Sequence, residues 1–303
     1  MSSDAEAAQQ APHRTTQARD LLKLCRPKQW IKNLLLLMAP LAAGVIQHPD
    51  VLLRLSVAFA AFVLASCAVY VVNDLKDVEL DRVHPTKRAR PLASGAVSMT
   101  AARRLAPALV VAAVVVGLLD GWQVAVVVTV YIATSLLYCF RMKHEVVLDL
   151  VFVLGGFLLR AIGGGVAARV PLSQWFLLTA GLGALFIVAG KRYAERVLAE
   201  RSGVWARPVL REYSLSYLRF VWTAAAAALL VVYSLWTFTL TTGNQASTWG
   251  LLSTIPFLIV VLRYAVIVDR GGAGEPEDIV IADRMLLSSA MLMLALLSVA
   301  IYS

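Results

Sequence analysis

At 303 residues, 59% hydrophobic and 16% charged, the chain is more apolar than an average soluble domain, for which about 45–50% and about 25% are usual. This composition excludes a soluble fold and indicates a polytopic membrane protein. The net charge of +9 does not indicate a nucleic-acid partner, because the cations are interspersed with apolar spans instead of forming one solvated face. The three cysteines are isolated in the sequence and suggest neither a disulfide nor a metal site.

The chain begins with a polar stretch that lacks the apolar core of a signal peptide, so we predict a disordered cytosolic tail over residues 1–20. Residues 21–303 are predicted to form a single all-α domain. Nine apolar segments follow the tail, most of them near the length of about 20 residues that crosses a bilayer as a helix. They lie at about 33–47, 51–72, 104–119, 122–140, 146–168, 173–190, 217–240, 248–268 and 281–301.

The loops between these segments differ sharply in positive charge. With nine helices, 25 of the 28 Lys and Arg residues fall on one side of the membrane, and two, Arg54 and Arg169, fall on the other. The positive-inside rule makes the rich side cytoplasmic. We therefore predict nine transmembrane helices in the plasma membrane, with the N-terminus in the cytoplasm and the C-terminus outside. Two long cytoplasmic loops, about 73–103 and 190–216, are the expected place of an active site.

The first charged loop combines acidic and basic residues. Asp74, Asp77 and Asp81 are spaced i, i+3 and i+7, so on a helix they share one face. Carboxylates on one face repel each other unless they hold a cation, and Mg²⁺ binds carboxylate and phosphate oxygens. Three cations suited to phosphate follow in the sequence: Lys87, Arg88 and Arg90. The alternative is a solvated helix whose acids form salt bridges with Lys76 and Arg82.

The string N-D-x-x-D-x-x-x-D, followed by K-R-x-R-P-L-A-S-G, resembles the first signature of the UbiA superfamily of intramembrane prenyltransferases. The resemblance covers essentially the whole chain and implies a UbiA-like bundle of nine helices with two cytoplasmic motif loops. It also implies that an asparagine and several aspartates hold Mg²⁺ on a diphosphate. The matching residues here are Asn73, Asp74, Asp77 and Asp81.

The second charged loop departs from the family pattern. Relatives that prenylate aromatic rings carry a D-x-x-x-D motif, whereas this chain reads G-K-R-Y-A-E, with Lys191 and Glu195 at the two acidic positions. Replacing an acid with a base favours phosphate over metal. We therefore expect Lys191, Arg192 and Tyr193 to bind a donor or acceptor phosphate, with Glu195 beside them.

Further cations flank the two loops. Those expected at the substrate site are Lys28, Arg141, Lys143 and Arg160. Lys28 is equally suited to lipid headgroups. A charge at the position of Arg160 is costly in lipid, so this residue is expected either to face a cavity or to pair with a buried carboxylate such as Asp149.

Several strings resemble one branch of the superfamily, the decaprenyl-phosphate phosphoribosyltransferases of cell-wall arabinan synthesis. They are R-P-K-Q-W-I-K-N (26–33), N-D-L-K-D-V-E-L-D-R-V-H-P-T-K-R (73–88), L-L-R-A-I-G-G-G-V-A (158–167), P-L-S-Q-W-F (171–176), G-K-R-Y-A-E (190–195) and A-G-E-P-E-D-I (273–279). This resemblance implies transfer of 5-phosphoribose from phosphoribosyl pyrophosphate to a polyprenyl phosphate, with release of pyrophosphate.

For that reaction the expected catalytic residues are Asp74, Asp77 and Lys191, with Mg²⁺ as cofactor. No general base is expected, because the lipid phosphate is already ionised. An aromatic prenyltransferase of quinone or haem biosynthesis is the alternative enzyme, and Lys191 and Glu195 count against it. An anion transporter is the alternative of another class, and it predicts more charge within the spans than this chain has.

Small residues in two spans permit close helix packing, within or between subunits. They are Gly163–Gly165 and Ala224–Ala228. We therefore expect a homo-oligomer, with a trimer as the form considered. The other expected partners are phosphoribosyl pyrophosphate, decaprenyl phosphate and membrane lipid.

Overall fold

The computed structural model describes residues 14–83, 86–203, 205, 207–242, 245–273, 279–280 and 282–302. Most of the predicted tail, residues 1–13, lies outside this range, and so does the centre of the A-G-E-P-E-D-I string, residues 274–278. The remaining residues of the tail belong to a helix that begins at Arg14.

The described chain is almost entirely helical. Its α-helices are α1 Arg14–Leu24, α2 Met38–Ala42, α3 Pro49–Val83, α4 Met99–Asp120, α5 Trp122–Phe140, α6 Leu148–Ala168, α7 Gln174–Ser202, α8 Leu215–Thr239, α9 Thr248–Leu252, α10 Thr254–Asp269 and α11 Arg284–Tyr302. Its 3₁₀ helices are Pro27–Leu37, Lys87–Ala89, Met142–His144 and Pro208–Arg211. Two short strands, β1 Thr241–Thr242 and β2 Gln245–Ala246, pair antiparallel, with Thr241 opposite Ala246.

The prediction of an all-α membrane architecture is confirmed for eight spans. Among the described residues, eight helical stretches are long and apolar enough to cross a membrane, with α9 and α10 together forming one of them. The segment predicted as the first span is not a long α-helix. It consists of the 3₁₀ helix Pro27–Leu37 followed by α2, and we call this stretch, residues 27–42, the first segment.

The acids of the first motif and all of the second motif lie on helices, whereas Lys87, Arg88 and Arg90 follow α3 in a short 3₁₀ turn and the residue after it. Helix α3 has 35 residues and helix α7 has 29, whereas about 20 residues are enough for a helix to cross a bilayer. Each of these helices therefore continues past its apolar stretch. Helix α7 ends at Ser202, and the following Gly203 has a φ of 71°, a left-handed backbone conformation that glycine adopts most easily. The extensions bring residues 73–83 of α3 and 190–202 of α7 to the same end of the bundle, where Lys87, Arg90 and Arg207 also lie. We call this the charged end.

Helix α6 is central to the packing because it contributes to both large hydrophobic cores. Leu150 belongs to the core shared with α7, α8, α10 and α11, whereas Ala167 belongs to the core shared with the first segment, α3, α4 and α5. Near its C-terminal end, α6 has glycines at the positions where its neighbours approach most closely. A Cβ on Gly164 would lie 1.8 Å from the Leu36 carbonyl oxygen, and one on Gly163 would lie 2.6 Å from the Phe62 ring. These glycines serve packing within the chain.

Substitution of Gly164 tests this close approach. We expect Gly164→Ala to lower the free energy of unfolding by about 1–3 kcal/mol, because the new methyl group displaces the backbone of the first segment. Gly155→Ala on the same helix is the matched control, since a Cβ there meets nothing within 4 Å. Chemical unfolding in detergent measures both. Equal stability of the two variants would contradict the close contact.

Candidate active site

The carboxylates of the first motif each contact a base from another part of the chain. Asp74, only 2% exposed, accepts hydrogen bonds from Arg26, which precedes the first segment, and from Arg90 at 3.3 Å. The same Arg90 guanidinium also donates to Asp81. Arg90 therefore spans two turns of α3 and neutralises two acids at once.

The third acid has its own partner. Lys143, in the turn between α5 and α6, donates to both oxygens of Asp77 at 2.8 and 3.0 Å. Lys76, which precedes Asp77 on α3, donates to the backbone carbonyls of Cys139 and Phe140 at 2.8 Å each. Two consecutive residues of α3 thus fix the end of α5 and the turn that follows it.

The donor chemistry of this face fits a hard cation. Its side chains supply only carboxylate and amide oxygens, which are the ligands that Mg²⁺ prefers. Among the described residues, however, no group of three or more His, Cys, Asp or Glu side chains is arranged to hold a metal by itself. Asp74 and Asp81 lie two turns apart on α3, yet both accept a hydrogen bond from one atom, Arg90 Nη1. Phosphate oxygens would have to complete the coordination of an ion held at this face.

Lys87 lies half-buried among charges from both motifs. Burial lowers the pKa of its ammonium group, and the neighbouring Arg90 guanidinium lowers this pKa further. Asp77 and Asp81 oppose these effects, and Arg207 reinforces them. Because Arg207 belongs to the second charged loop, Lys87 marks the point where the two loops meet. A bound anion would stabilise this ammonium group.

In the second motif, Arg192 is saturated by protein partners. The side chain is 3% exposed, and its Nε donates to Asp149 Oδ2 at 2.6 Å, while its Nη1 donates to Glu195 at 2.9 Å. Its Nη2 donates to Asp149 Oδ1 at 3.1 Å and to the Tyr138 hydroxyl at 3.3 Å. Arg192, which the sequence predicts to bind phosphate, here joins α7 to α5 and α6 through these contacts.

Lys191 and Arg207 are two further cations of the second loop that act on this cluster. Arg207 donates to the Tyr138 hydroxyl at 3.0 Å and lies 3.6 Å from Glu195. Lys191 is half-buried and acts electrostatically on Glu195 without forming either of its ion pairs. The ligands predicted from the sequence do not include Arg26, Arg207 or Tyr138, although Arg26 opens the R-P-K-Q-W-I-K-N string.

The side chains of two predicted substrate ligands do not join the ion pairs of the two motifs. Tyr193 is buried in the core between α7 and α8, with its ring 6.2 Å from that of Trp222, because one residue along a helix turns a side chain by about 100°. Its hydroxyl accepts a hydrogen bond from Arg219 at 2.6 Å. Arg160 neither pairs with Asp149 nor faces the acids of the first motif.

Arg160 belongs to a buried network of neutral groups. Its guanidinium donates to Asn33 at 2.8 Å, to the Tyr131 hydroxyl at 2.7 Å and to the Gly156 carbonyl at 2.8 Å, with a longer contact of 3.4 Å to Ser66. It also lies over the Tyr131 ring, 4.7 Å from the centroid. The network ties the first segment to α3, α5 and α6.

The other predicted ligands lie on the surface of the charged end or beside it. Asn73 is half-buried on α3, next to Asp74. The exposed ones are Lys28, Arg88 and Arg141. Their exposure leaves them accessible to a soluble ligand, and Lys28 is also placed to contact headgroups.

An apolar cavity of about 370 Å³ lies between the first segment and helices α6, α7, α8, α10 and α11. Leu35 and Met38 of the first segment form one wall, and Phe176, Phe257 and Met293 contribute to the others. Almost all of its lining is apolar, so it suits a hydrocarbon chain and not a sugar phosphate.

Comparison with known proteins gives one consistent result. The chain matches the UbiA prenyltransferase family over residues 34–290. It is 50% identical over 293 residues to a decaprenyl-phosphate phosphoribosyltransferase of Mycolicibacterium smegmatis, with 93% of this chain and 92% of that protein covered. It is 48% identical over 285 residues to the protein of the same name from Mycobacterium tuberculosis, with 93% and 94% covered.

Among solved structures, the chain is similar to a UbiA homolog from Archaeoglobus fulgidus bound to DMAPP and Mg²⁺. The TM-score is 0.71, over 93% of this chain and 99% of that one, at 16% sequence identity. At this level of identity the similarity establishes the fold alone.

Proposed function

Since the chain belongs to the UbiA prenyltransferase family, we propose that it is a phosphoribosyltransferase that uses decaprenyl phosphate as its lipid acceptor. The donor is phosphoribosyl pyrophosphate, and the products are a lipid-linked 5-phosphoribose and pyrophosphate. The observation that carries this proposal is the identity of 48–50%, over more than nine-tenths of both chains, with relatives of that name. We assign the reaction to the supply of cell-wall arabinan precursors.

The charges of the site suit this chemistry. An oxygen of the lipid phosphate attacks C1 of the ribose, and the bond from C1 to the pyrophosphate oxygen breaks. The lipid phosphate is a monoester, and the second pKa of such a group is about 6. It is therefore already largely ionised at pH 7, so this nucleophile needs no general base. Lys87, Arg88 and Arg90 bind phosphate oxygens of the donor, and Lys191 binds a phosphate from the side of the second motif.

Mg²⁺ is the cofactor we propose, and its oxygen donors are Asp74 and Asp77, with Asp81 beside them. When bound, the ion neutralises charge that develops on the leaving pyrophosphate. Arg90 and Lys143, which contact these carboxylates, would then turn to phosphate oxygens. Such an exchange keeps each buried charge compensated in both states.

The apolar cavity is the proposed position of the isoprenoid chain next to its phosphate. A decaprenyl chain is far larger than a cavity of about 370 Å³, so only the isoprene units nearest the phosphate fit inside. The rest of the chain extends into the bilayer, as the affinity of hydrocarbon for lipid favours.

We propose that the first segment is a ninth crossing, with the N-terminus in the cytoplasm and the C-terminus outside. Eleven 3₁₀ residues at about 2.0 Å and five α-helical residues at about 1.5 Å cover about 30 Å, the thickness of the hydrocarbon core. Arg26 precedes this segment at the charged end. Gly44 follows it, and a Cβ there would lie 3.1 Å from Ile301 in the last turn of α11. These contacts at opposite ends of the bundle support a crossing, and the loop cations support a cytoplasmic charged end in the plasma membrane.

Cysteine labelling tests this topology. In a variant without the native cysteines, we expect Ser202→Cys to react only from the cytoplasmic side and Thr242→Cys only from outside. An impermeant maleimide applied to intact cells and to inverted vesicles measures both positions. Reaction of both cysteines from the same side would contradict the crossing by α8, and the reverse pattern of reaction would contradict the cytoplasmic position of the charged end.

The homo-oligomer, with a trimer as the form considered, stays a prediction. Gly163–Gly165, one of the two stretches on which it rested, packs against Phe62, Leu36 and Leu172 of the same chain. Mass measurement of the detergent-solubilised protein tests it, and a monomeric mass would exclude it.

Mass spectrometry of lipid products tests the reaction itself. We expect purified protein in polyprenyl phosphate micelles to add the mass of one phosphoribosyl group when phosphoribosyl pyrophosphate and Mg²⁺ are supplied. Excess EDTA should abolish the product, and added Mg²⁺ should restore it. A prenylated product from polyprenyl diphosphate and 4-hydroxybenzoate, with none from phosphoribosyl pyrophosphate, would support the aromatic prenyltransferase instead. Full activity in EDTA would exclude the metal.

Lys191 is the residue whose charge distinguishes the two enzyme classes. A lost charge-assisted contact is worth about 1.5–3 kcal/mol, so we expect Lys191→Ala to lower kcat/KM by about 10- to 150-fold. Lys191→Arg should retain more activity than Lys191→Ala, and Lys191→Asp should raise KM most, because it repels phosphate.

The matched control is Arg201→Ala, which removes an exposed cation from the last turn of the same helix and should leave kcat/KM unchanged. Titration of Mg²⁺ and of both substrates is the measurement. Wild-type kinetics in Lys191→Asp would show that this side chain does not contact substrate.

A further inference from the structure

The turn between α5 and α6, residues 141–147, ends in a strained backbone conformation. Val147 has φ 69° and ψ −49°, close to the classic γ-turn, which is rare and unfavourable for a β-branched residue. Among the described residues, only Arg26 and Arg169 are other non-glycine residues with positive φ. Such a conformation persists only where the surrounding structure holds it.

One side chain from the second charged loop holds this turn. The Val147 backbone N–H donates to the Tyr213 hydroxyl at 2.8 Å. Tyr213 is 1% exposed, and its ring stacks on Tyr217 with centroids 5.9 Å apart and planes 16° apart. Burial raises the pKa of Tyr213 to about 12, so its hydroxyl stays neutral around physiological pH.

The turn carries groups of the site at both ends. Lys143, four residues before Val147, makes the contact with Asp77 of the first motif. Asp149, two residues after Val147, makes the buried contact with Arg192 of the second motif. The conformation of Val147 therefore determines how these two side chains are placed relative to each other.

We propose that Tyr213 is a positioning residue, whose hydroxyl fixes the Val147 backbone and thereby sets Lys143 on Asp77 and Asp149 on Arg192. Tyr213 contacts neither of these ion pairs directly and acts through the backbone of the turn. Tyr213 thus couples the second charged loop to the acidic face of the first charged loop, which the proposed function assigns to metal binding. The inference rests on that function only for its effect on catalysis, and the hydrogen bond has a readout of its own.

The first measurement is independent of activity. Hydrogen exchange followed by mass spectrometry on the whole protein should show faster exchange in the segment 141–149 of Tyr213→Phe, by about 3- to 10-fold for the freed amide. Tyr217→Phe is the matched control, because it keeps the stacked rings and leaves the bond to Val147 intact, so its exchange should equal that of the wild type. Unchanged exchange in Tyr213→Phe would overturn the proposal.

The second measurement uses the lipid-product assay. We expect Tyr213→Phe to lower kcat/KM by about 3- to 10-fold and to change the Mg²⁺ concentration for half-maximal activity, whereas Tyr217→Phe changes neither. The effects of Tyr213→Phe and Lys143→Met should be less than additive, because both release Asp77. Additive effects, or a loss of activity with no change in the Mg²⁺ dependence, would reduce Tyr213 to a residue of general stability.

A rescue variant separates positioning from misfolding. Glycine adopts positive φ without strain, so Val147→Gly should restore part of the activity lost in Tyr213→Phe. A double variant no more active than Tyr213→Phe would contradict the role given to the turn. If wild-type protein forms no phosphoribosyl lipid, the proposed reaction fails, while the exchange result still decides whether Tyr213 holds Val147.

Discussion

The ion pair between Arg192 and Asp149 is the constraint on which the arrangement of the charged end depends. Asp149 is fully buried and Arg192 almost so, and a buried charge left without its partner typically costs about 3–5 kcal/mol. The two helices that carry them, α6 and α7, are therefore fixed relative to each other at this end. Tyr138 donates to Asp149 at 2.9 Å and brings α5 into the same cluster. Because the pair satisfies both side chains, Arg192 joins α7 to α5 and α6 at this end.

The first motif differs, since its acids are compensated by bases that stay partly exposed. Asp74, Asp77 and Asp81 are paired with bases whose side chains are partly exposed, between 12% and 27%. A diphosphate with its metal presents both signs of charge, so it can take over the carboxylates and the bases together. The exchange avoids leaving any of these groups unpaired at the edge of a low-dielectric bundle. Under the proposed function, the fixed second motif would hold the helices in place while the first motif exchanges its partners as the charged substrate binds and leaves.

The first segment depends on a buried charge of another kind. Arg160 has no carboxylate among its described partners, and neutral oxygens of Asn33, Tyr131 and Gly156 satisfy its guanidinium. These contacts hold a 3₁₀ helix against α6 where Gly164 allows the backbones to touch. The same segment forms a wall of the apolar cavity, so the polar network also determines the shape of the space available to a lipid chain.

The sequence by itself determined the membrane class, eight of the spans and the spacing of the acids on α3, because composition and helical periodicity are local properties of the chain. It also indicated the family, through motifs that are contiguous in sequence. Only the tertiary structure decided which charges pair, since Arg26 and Asp74 are 48 residues apart and Arg160 and Asn33 are 127 apart. It likewise turned Tyr193 into the core and gave the first segment its 3₁₀ form. These features depend on which helix faces become neighbours, and packing across the whole bundle determines that.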